Sequence, residues 1–184
     1  MKVRYFVASV LAVGISSAYA AGEVTVTIGS AAPISGPQAS FGQDNTNGVR
    51  MAVKDLNSKY IVIGGKKVVW KIDAQDDQAD PKQATTVAQK FVDEHANGVV
   101  GHLNSGCTYP ASRIYSEAGI PVITPSSTDP KIAEQGFKTF FRIIANDNAL
   151  GAGLANYARQ NLMAKTVAVI DDRTAYGQGV ADVF

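Results

Sequence analysis

Two short stretches of this 184-residue sequence gather the side chains best suited to chemistry: Asn104-Ser105-Gly106-Cys107-Thr108 and Ser126-Ser127-Thr128. The first leads straight into an apolar helical pattern at Ala111, Ile114, Tyr115 and Ala118. It therefore combines hydroxyls with the unpaired N–H groups and positive dipole end of a helix start, a ready anion site. Ser126, Ser127 and Thr128 add hydroxyls on a neighbouring loop. Together these groups suit a small carboxylate, held by charge-assisted hydrogen bonds of about 1.5–3 kcal/mol each. Micromolar affinity needs about 8 kcal/mol net, so one loop is insufficient and a second wall is required. The same residues also serve as helix caps and turn formers, and their types alone leave both readings open.

Other chemistries fit less well. Cys107 with His102 and Ser105 suggests a nucleophile, but no G-x-S-x-G elbow surrounds Ser105, and His102 lies in a buried strand pattern. Asp73, Asp76, Asp77 and Asp80 lack the glycine and terminal Glu of a calcium loop, and read as a solvated turn with a helix cap. Gly64-Gly65-Lys66-Lys67 does not meet the phosphate-loop pattern. A single cysteine excludes an intrachain disulfide and a Cys-rich zinc site. No catalytic residue, metal or cofactor is therefore expected. With 17 Lys+Arg against 16 Asp+Glu, the chain lacks the basic excess of a nucleic-acid binder, and no such partner is expected.

The elements that must position these residues begin after a leader. Lys2 and Arg4, the apolar run over 6–15 and Ala18-Tyr19-Ala20 read as a signal peptide over residues 1–20, cleaved before Ala21. The apolar run is far short of the ~20 residues of a membrane-spanning helix. Thereafter strands and helices take turns. A β-branched strand over 24–30 is followed by a Gly/Pro/Ser loop over 33–42 and a helical stripe at Val49, Ala52, Val53 and Leu56. A turn at Gly64-Gly65 enters a strand over 68–74. The next helix is capped by Asp80, with Pro81 in its first position. A strand over 98–103, the third helix and a strand over 121–124 complete the alternation.

That order calls for an α/β fold, a parallel sheet flanked by helices, with ligands beyond the carboxyl ends of the strands. Those ends are the loops 31–42, 76–80, 104–110 and 125–129. Beyond them the pattern predicts one helical turn over 131–135, an extended segment over 140–144 and a helix from Asn146. A strand over 166–170, a loop over 171–179 and an apolar helix over 180–184 follow. An ending on Asp182-Val183-Phe184 has no glycine cap and no following strand, so the sequence reads as a truncated chain, the front part of a longer protein.

Six motifs occur in order: Ser35-Gly36-Pro37 with Phe41-Gly42, Asp76-Asp77 with Asp80-Pro81-Lys82-Gln83-Ala84, Gly101-His102-Leu103, Tyr109-Pro110-Ala111-Ser112, Ile123-Thr124-Pro125 and Tyr176-Gly177-Gln178-Gly179. With them the sequence resembles the amino-terminal half of the branched-chain amino acid (leucine/isoleucine/valine) binding proteins of ABC transporters. The resemblance implies a type I periplasmic-binding fold. A first α/β ligand-binding lobe would span 21–142, lacking later segments, and 143–184 would form a hinge crossing and the start of an incomplete second lobe.

The resemblance also implies ligand-binding roles. Ser105 and Thr128 would hold the amino acid carboxylate and the Ser126 carbonyl its ammonium, with Gly106 and Ser127 beside them. Phe41 would line the cleft where the family commonly has Tyr, and Tyr176 would be brought down by the second lobe on closure. The implied function is non-enzymatic: a periplasmic protein delivering a small amino acid to the permease of an ABC transporter in the inner membrane. The acidic partner of the ammonium would lie in the other half. Ala79 and Asn104 stand where some relatives carry a disulfide, and Cys107 is left free. Ser126-Ser127 is more polar than the small apolar pair of some members, and these departures bear on which amino acid is held. The same motifs would also serve a receptor for another small solute, such as an amide or an aromatic acid, or a sensory periplasmic module.

Overall fold

The β-branched run near the start forms β1 (Glu23–Ala32), the central strand of a parallel sheet in a computed structural model that describes residues 22–184. The expected signal peptide lies outside the described residues. On one side β1 pairs with β3 (Lys66–Asp76), and on the other with β4 (Gly98–Gly101). β5 (Val122–Thr124) and β6 (Phe140–Arg142) extend the sheet in parallel. At the opposite edge β2 (Val62–Ile63) turns through Gly64-Gly65 to pair antiparallel with β3, giving the order β2-β3-β1-β4-β5-β6.

The crossovers are α1 (Ala39–Ser58), α2 (Pro81–Asp93) and α3 (Ser105–Glu117), with the short α4 (Pro130–Glu134) before β6. Beyond the sheet, α5 (Asp147–Gln160) packs against α6 (Ala175–Val183). The helical periodicity of Ala84, Val87, Ala88, Phe91 and Val92 puts one apolar stripe on α2, and the first four are buried while Val92 is partly buried beside them. Val87, Ala88 and Phe91 meet Ala111 and Tyr115 of α3 and Ala31, Val99 and Val122 of the sheet in one core. Burying a side chain such as Phe91 contributes about 1.5–3 kcal/mol. Asp80 caps α2 as expected, accepting the N–H groups of Lys82 and Gln83.

Three boundaries differ from expectation. α1 begins at Ala39, so Phe41 and Gly42 lie in its first turn rather than in a loop. α6 begins at Ala175, because the Thr174 hydroxyl accepts the Gly177 N–H at 3.0 Å and starts the helix early. Residues 166–170 form no strand, and Ile170 is 91% exposed. A strand exists through its neighbours, and among the described residues none pairs with this segment.

Under the carboxyl edge of the sheet lies a buried polar chain. His102, just past β4, places Nδ1 2.7 Å from Asp77 Oδ2 and Nε2 3.0 Å from the Tyr115 hydroxyl, and all three residues are fully buried. Burial, reinforced by the negative charge of Asp77, pushes the Tyr115 hydroxyl well up, so it keeps its proton and donates it to Nε2. Nδ1 then donates to the carboxylate. Tyr115→Phe strands Nε2 without a donor, an expected loss of about 1–3 kcal/mol. Urea denaturation checks this, and an unchanged midpoint would show that the chain contributes nothing.

Candidate functional site

All four loops at the carboxyl edge meet in one cleft of about 640 Å³. Gln38 and Phe41 come from the first loop and the start of α1, Ala79 and Pro81 from the second. The third supplies residues 103–107 and the fourth Ser126, while residues 172–176 form the facing wall. Gly42 seats α1 against the first loop: a Cβ there would stand 2.1 Å from the Pro33 carbonyl oxygen. That close approach leaves Phe41 at the mouth of the cleft, 67% exposed.

Asp76 ties the first loop to the second. Its carboxylate accepts the N–H groups of Ile34 (3.0 Å) and Gln78 (2.9 Å) and the hydroxyl of Ser35. The Asn104 amide donates to Gln38 Oε1 at 2.8 Å and ties the third loop to the first. The Asn104 side chain does not cap α3, so the first-turn amides at Ser105 and Gly106 are left for another acceptor.

Ser105 is 2% exposed, yet lines the cleft. Its Oγ accepts the N–H groups of Thr128 (3.2 Å) and Asp129 (3.3 Å), while its own proton has no acceptor among the described residues. Two incoming N–H bonds polarise a hydroxyl and make it a better donor. Gly106 lies beside it in the cleft wall. The Ser126 hydroxyl is spent internally, donating to the Leu103 carbonyl at 2.9 Å.

Two expected ligand residues do not line the cleft. Ser127 is buried behind it, with its hydroxyl among Thr108 and the His102 and Leu103 carbonyls. Thr128 reaches the site through its N–H to Ser105. Its hydroxyl is buried, faces Asp147 and closes no hydrogen bond of normal geometry. Tyr176 lines the cleft from α6 and is 46% exposed. Burial pushes the Cys107 thiol far up, and Asp77 and Asp80 add to the effect, so this side chain is a poor nucleophile. Among the described residues no cluster of three or more His, Cys, Asp or Glu side chains is placed to hold a metal ion.

Residues 25–184 match the family model of the periplasmic binding proteins. The chain belongs to that family. It is 41% identical to an amino acid binding protein of Pseudomonas aeruginosa, over 99% of this chain and 49% of the relative. It is 36% identical to the leucine-specific-binding protein of Salmonella typhimurium, over 98% of this chain and 47% of that one. Its fold is similar to that of the branched-chain amino acid transporter substrate binding protein LivJ from Streptococcus pneumoniae, solved in complex with isoleucine. The TM-score is 0.77 at 28% identity, over 87% of this chain and 45% of that chain. The chain spans about half the length of the curated relatives it matches.

Within this member of the family, sequence reasoning placed Asn104 in the candidate stretch but missed Gln38 and Leu103 as lining residues, and with them the wall at 172–175. Asp172 and Thr174 did carry a signal. An Asx turn with a hydroxyl N-cap precedes α6, with Asp172 accepting from the Thr174 N–H and hydroxyl. Leu103 carried none.

The acid behaviour of the loop tie follows from its partners. Burial pushes the Asp76 carboxyl up, but the Ser35 hydroxyl and the N–H groups of Gln78, Ile34 and Ser35 outweigh it and hold it below the usual carboxylate range. The stability it contributes is present above the unfolded value near ~4 and is lost as pH falls through the lower folded value. Asp76→Asn should lower stability at neutral pH and flatten the further loss below about pH 4. Urea denaturation at neutral and acid pH reads both, and parallel acid losses in the two proteins would remove Asp76 from the account.

Proposed function

We propose that this chain carries the first wall and part of the second of a periplasmic substrate-binding protein that hands a small amino acid of the branched-chain class to an ABC transporter permease in the inner membrane. The observation that carries the reading is Ser105: a hydroxyl at the uncapped amino end of α3, accepting two N–H groups and holding a spare proton at a cleft. The ligand carboxylate accepts that proton together with the first-turn amides of α3, each bond contributing about 1.5–3 kcal/mol. The Ser126 carbonyl takes the ammonium. Thr128 acts from behind, through Ser105.

In this reading 22–142 forms one lobe and 143–184 begins the hinge and a second. Ligand stabilises the closed arrangement, in which the 172–176 wall with Tyr176 covers it, and the permease distinguishes closed from open. No bond is made or broken. The relatives named for amino acid or leucine binding support the ligand class, and the family name supports the periplasm.

Ser105→Ala in the intact protein should raise the dissociation constant for leucine about tenfold to hundredfold. Ser126→Ala, which keeps the carbonyl, should change it by less than about threefold. Calorimetric titration decides, and unchanged affinity in Ser105→Ala would eliminate the carboxylate grip.

A further inference from the structure

The Thr128–Asp129 peptide is held from both ends. Its carbonyl oxygen accepts hydrogen bonds from Arg142 Nη1 at 2.6 Å and from the Asp147 N–H at 3.0 Å. Its N–H, that of Asp129, donates to Ser105 Oγ at 3.3 Å, alongside the Thr128 N–H at 3.2 Å. Arg142 ends β6, Asp147 opens α5 and Ser105 opens α3. A trans peptide is a rigid plane whose carbonyl and N–H point in opposite directions. A tilt imposed on one end is therefore delivered to the other.

The charges around the carbonyl end are poised rather than paired. Asp147 is fully buried, and neither of its carboxylate oxygens has a hydrogen-bond partner among the described residues. Burial raises its carboxyl above the usual range, with Asp129 reinforcing the rise and the Thr128 hydroxyl and Arg142 opposing it. α6 bears on the same carboxylate through Gly179, where a Cβ would stand 3.2 Å from Asp147 Oδ2. Arg142 is half-buried near both carboxylates, yet its hydrogen bond goes to the neutral Thr128 carbonyl. Its position thus depends on the placement of α5 and α6, which set Asp147.

We propose that the Thr128–Asp129 peptide is the link by which rotation of the α5–α6 unit reaches the ligand grip, with Arg142 and Asp147 as positioning residues acting through Ser105. The part of this that concerns the grip rests on the proposed function; the mechanical link does not. Holding the carbonyl end keeps two N–H groups on Ser105 Oγ, which leaves the serine proton directed away from them and available at the cleft.

Amide hydrogen exchange tests the link without any ligand. Arg142→Gln should speed exchange at Thr128 and Asp129 about tenfold or more, with the amides of β1 and β4 unaffected. Should that variant not fold, Arg142→Lys, which keeps the charge and one donor, should give a roughly threefold acceleration at the same two amides. Unchanged exchange at Asp129 overturns the proposal.

The grip is tested with leucine on the intact protein. Arg142→Gln should weaken binding at least about fivefold, and most of that loss should vanish in a Ser105→Ala background. Fully additive effects would overturn the coupling, since a merely structural Arg142 has no reason to act through Ser105. Absence of binding of leucine, isoleucine and valine by the unmutated protein would count against the proposed function instead, and the exchange rates alone then decide the link.

Discussion

Strands that run the same way deliver their carboxyl ends to one edge, and the loops crowded there must find partners for many backbone polar groups at once. Most are taken. Asp76 receives the amides of Ile34 and Gln78, Asp80 caps α2, and the hydroxyls of Thr108, Thr124 and Ser127 converge on the His102 carbonyl. Against that saturated background the exceptions carry information. The first turn of α3 is uncapped by Asn104, and the Ser105 hydroxyl accepts twice without donating within the described residues. These free donors at the cleft suit an anionic group.

The proposed grip relies on dipoles. No lysine or arginine of the first four loops lines the cleft, and the facing wall brings one charge of each sign, Asp172 and Arg173. A fixed cation beside Ser105 would favour any anion over a zwitterion. In the proposed site, hydroxyl and amide dipoles instead would stabilise a carboxylate locally while leaving the cleft near neutral, which suits a ligand whose own charges sum to zero. The Asp77–His102–Tyr115 chain follows the same logic one layer down: it fixes the strand-to-helix turn that presents Ser105 and keeps its own charge internal to the network.

How far the sequence could be read depended on whether a feature was local. The α2 stripe, the Asp80 cap and the loops 104–110 and 125–129 declare themselves through periodicity and capping chemistry, and the structure puts those loops in one cleft. Features set by distant partners did not show. Residues 166–170 have the composition of a strand, but strand formation needs a neighbour that residue types cannot supply. Ser127 and Thr128 resemble Ser105 in type, and only three-dimensional packing reveals that Ser127 is committed to Thr108 and backbone carbonyls, and Thr128 to Ser105 and the start of α5. Asn104 and Gln38 meet across 66 residues of sequence, a pairing that no local rule predicts.

A grip on the carboxylate is common to all amino acids and cannot by itself choose among them. Choice must come from walls that touch the side chain, and apolar walls discriminate weakly, at about 1–3 kcal/mol per methylene. In this cleft the apolar surfaces are Phe41 at the mouth, Leu103 and Pro81 behind it and Tyr176 opposite. Phe41 offers no hydroxyl to a polar side chain, so it favours apolar ligands by leaving their polar competitors unpaired. The Gln38–Asn104 pair works in the same direction: its amides are already satisfied in part by each other, which lowers the cost of covering them with an aliphatic group. Both features bias the proposed pocket toward aliphatic side chains without specifying their branching, so selection of one branched amino acid over another has to depend on how tightly the opposing wall closes.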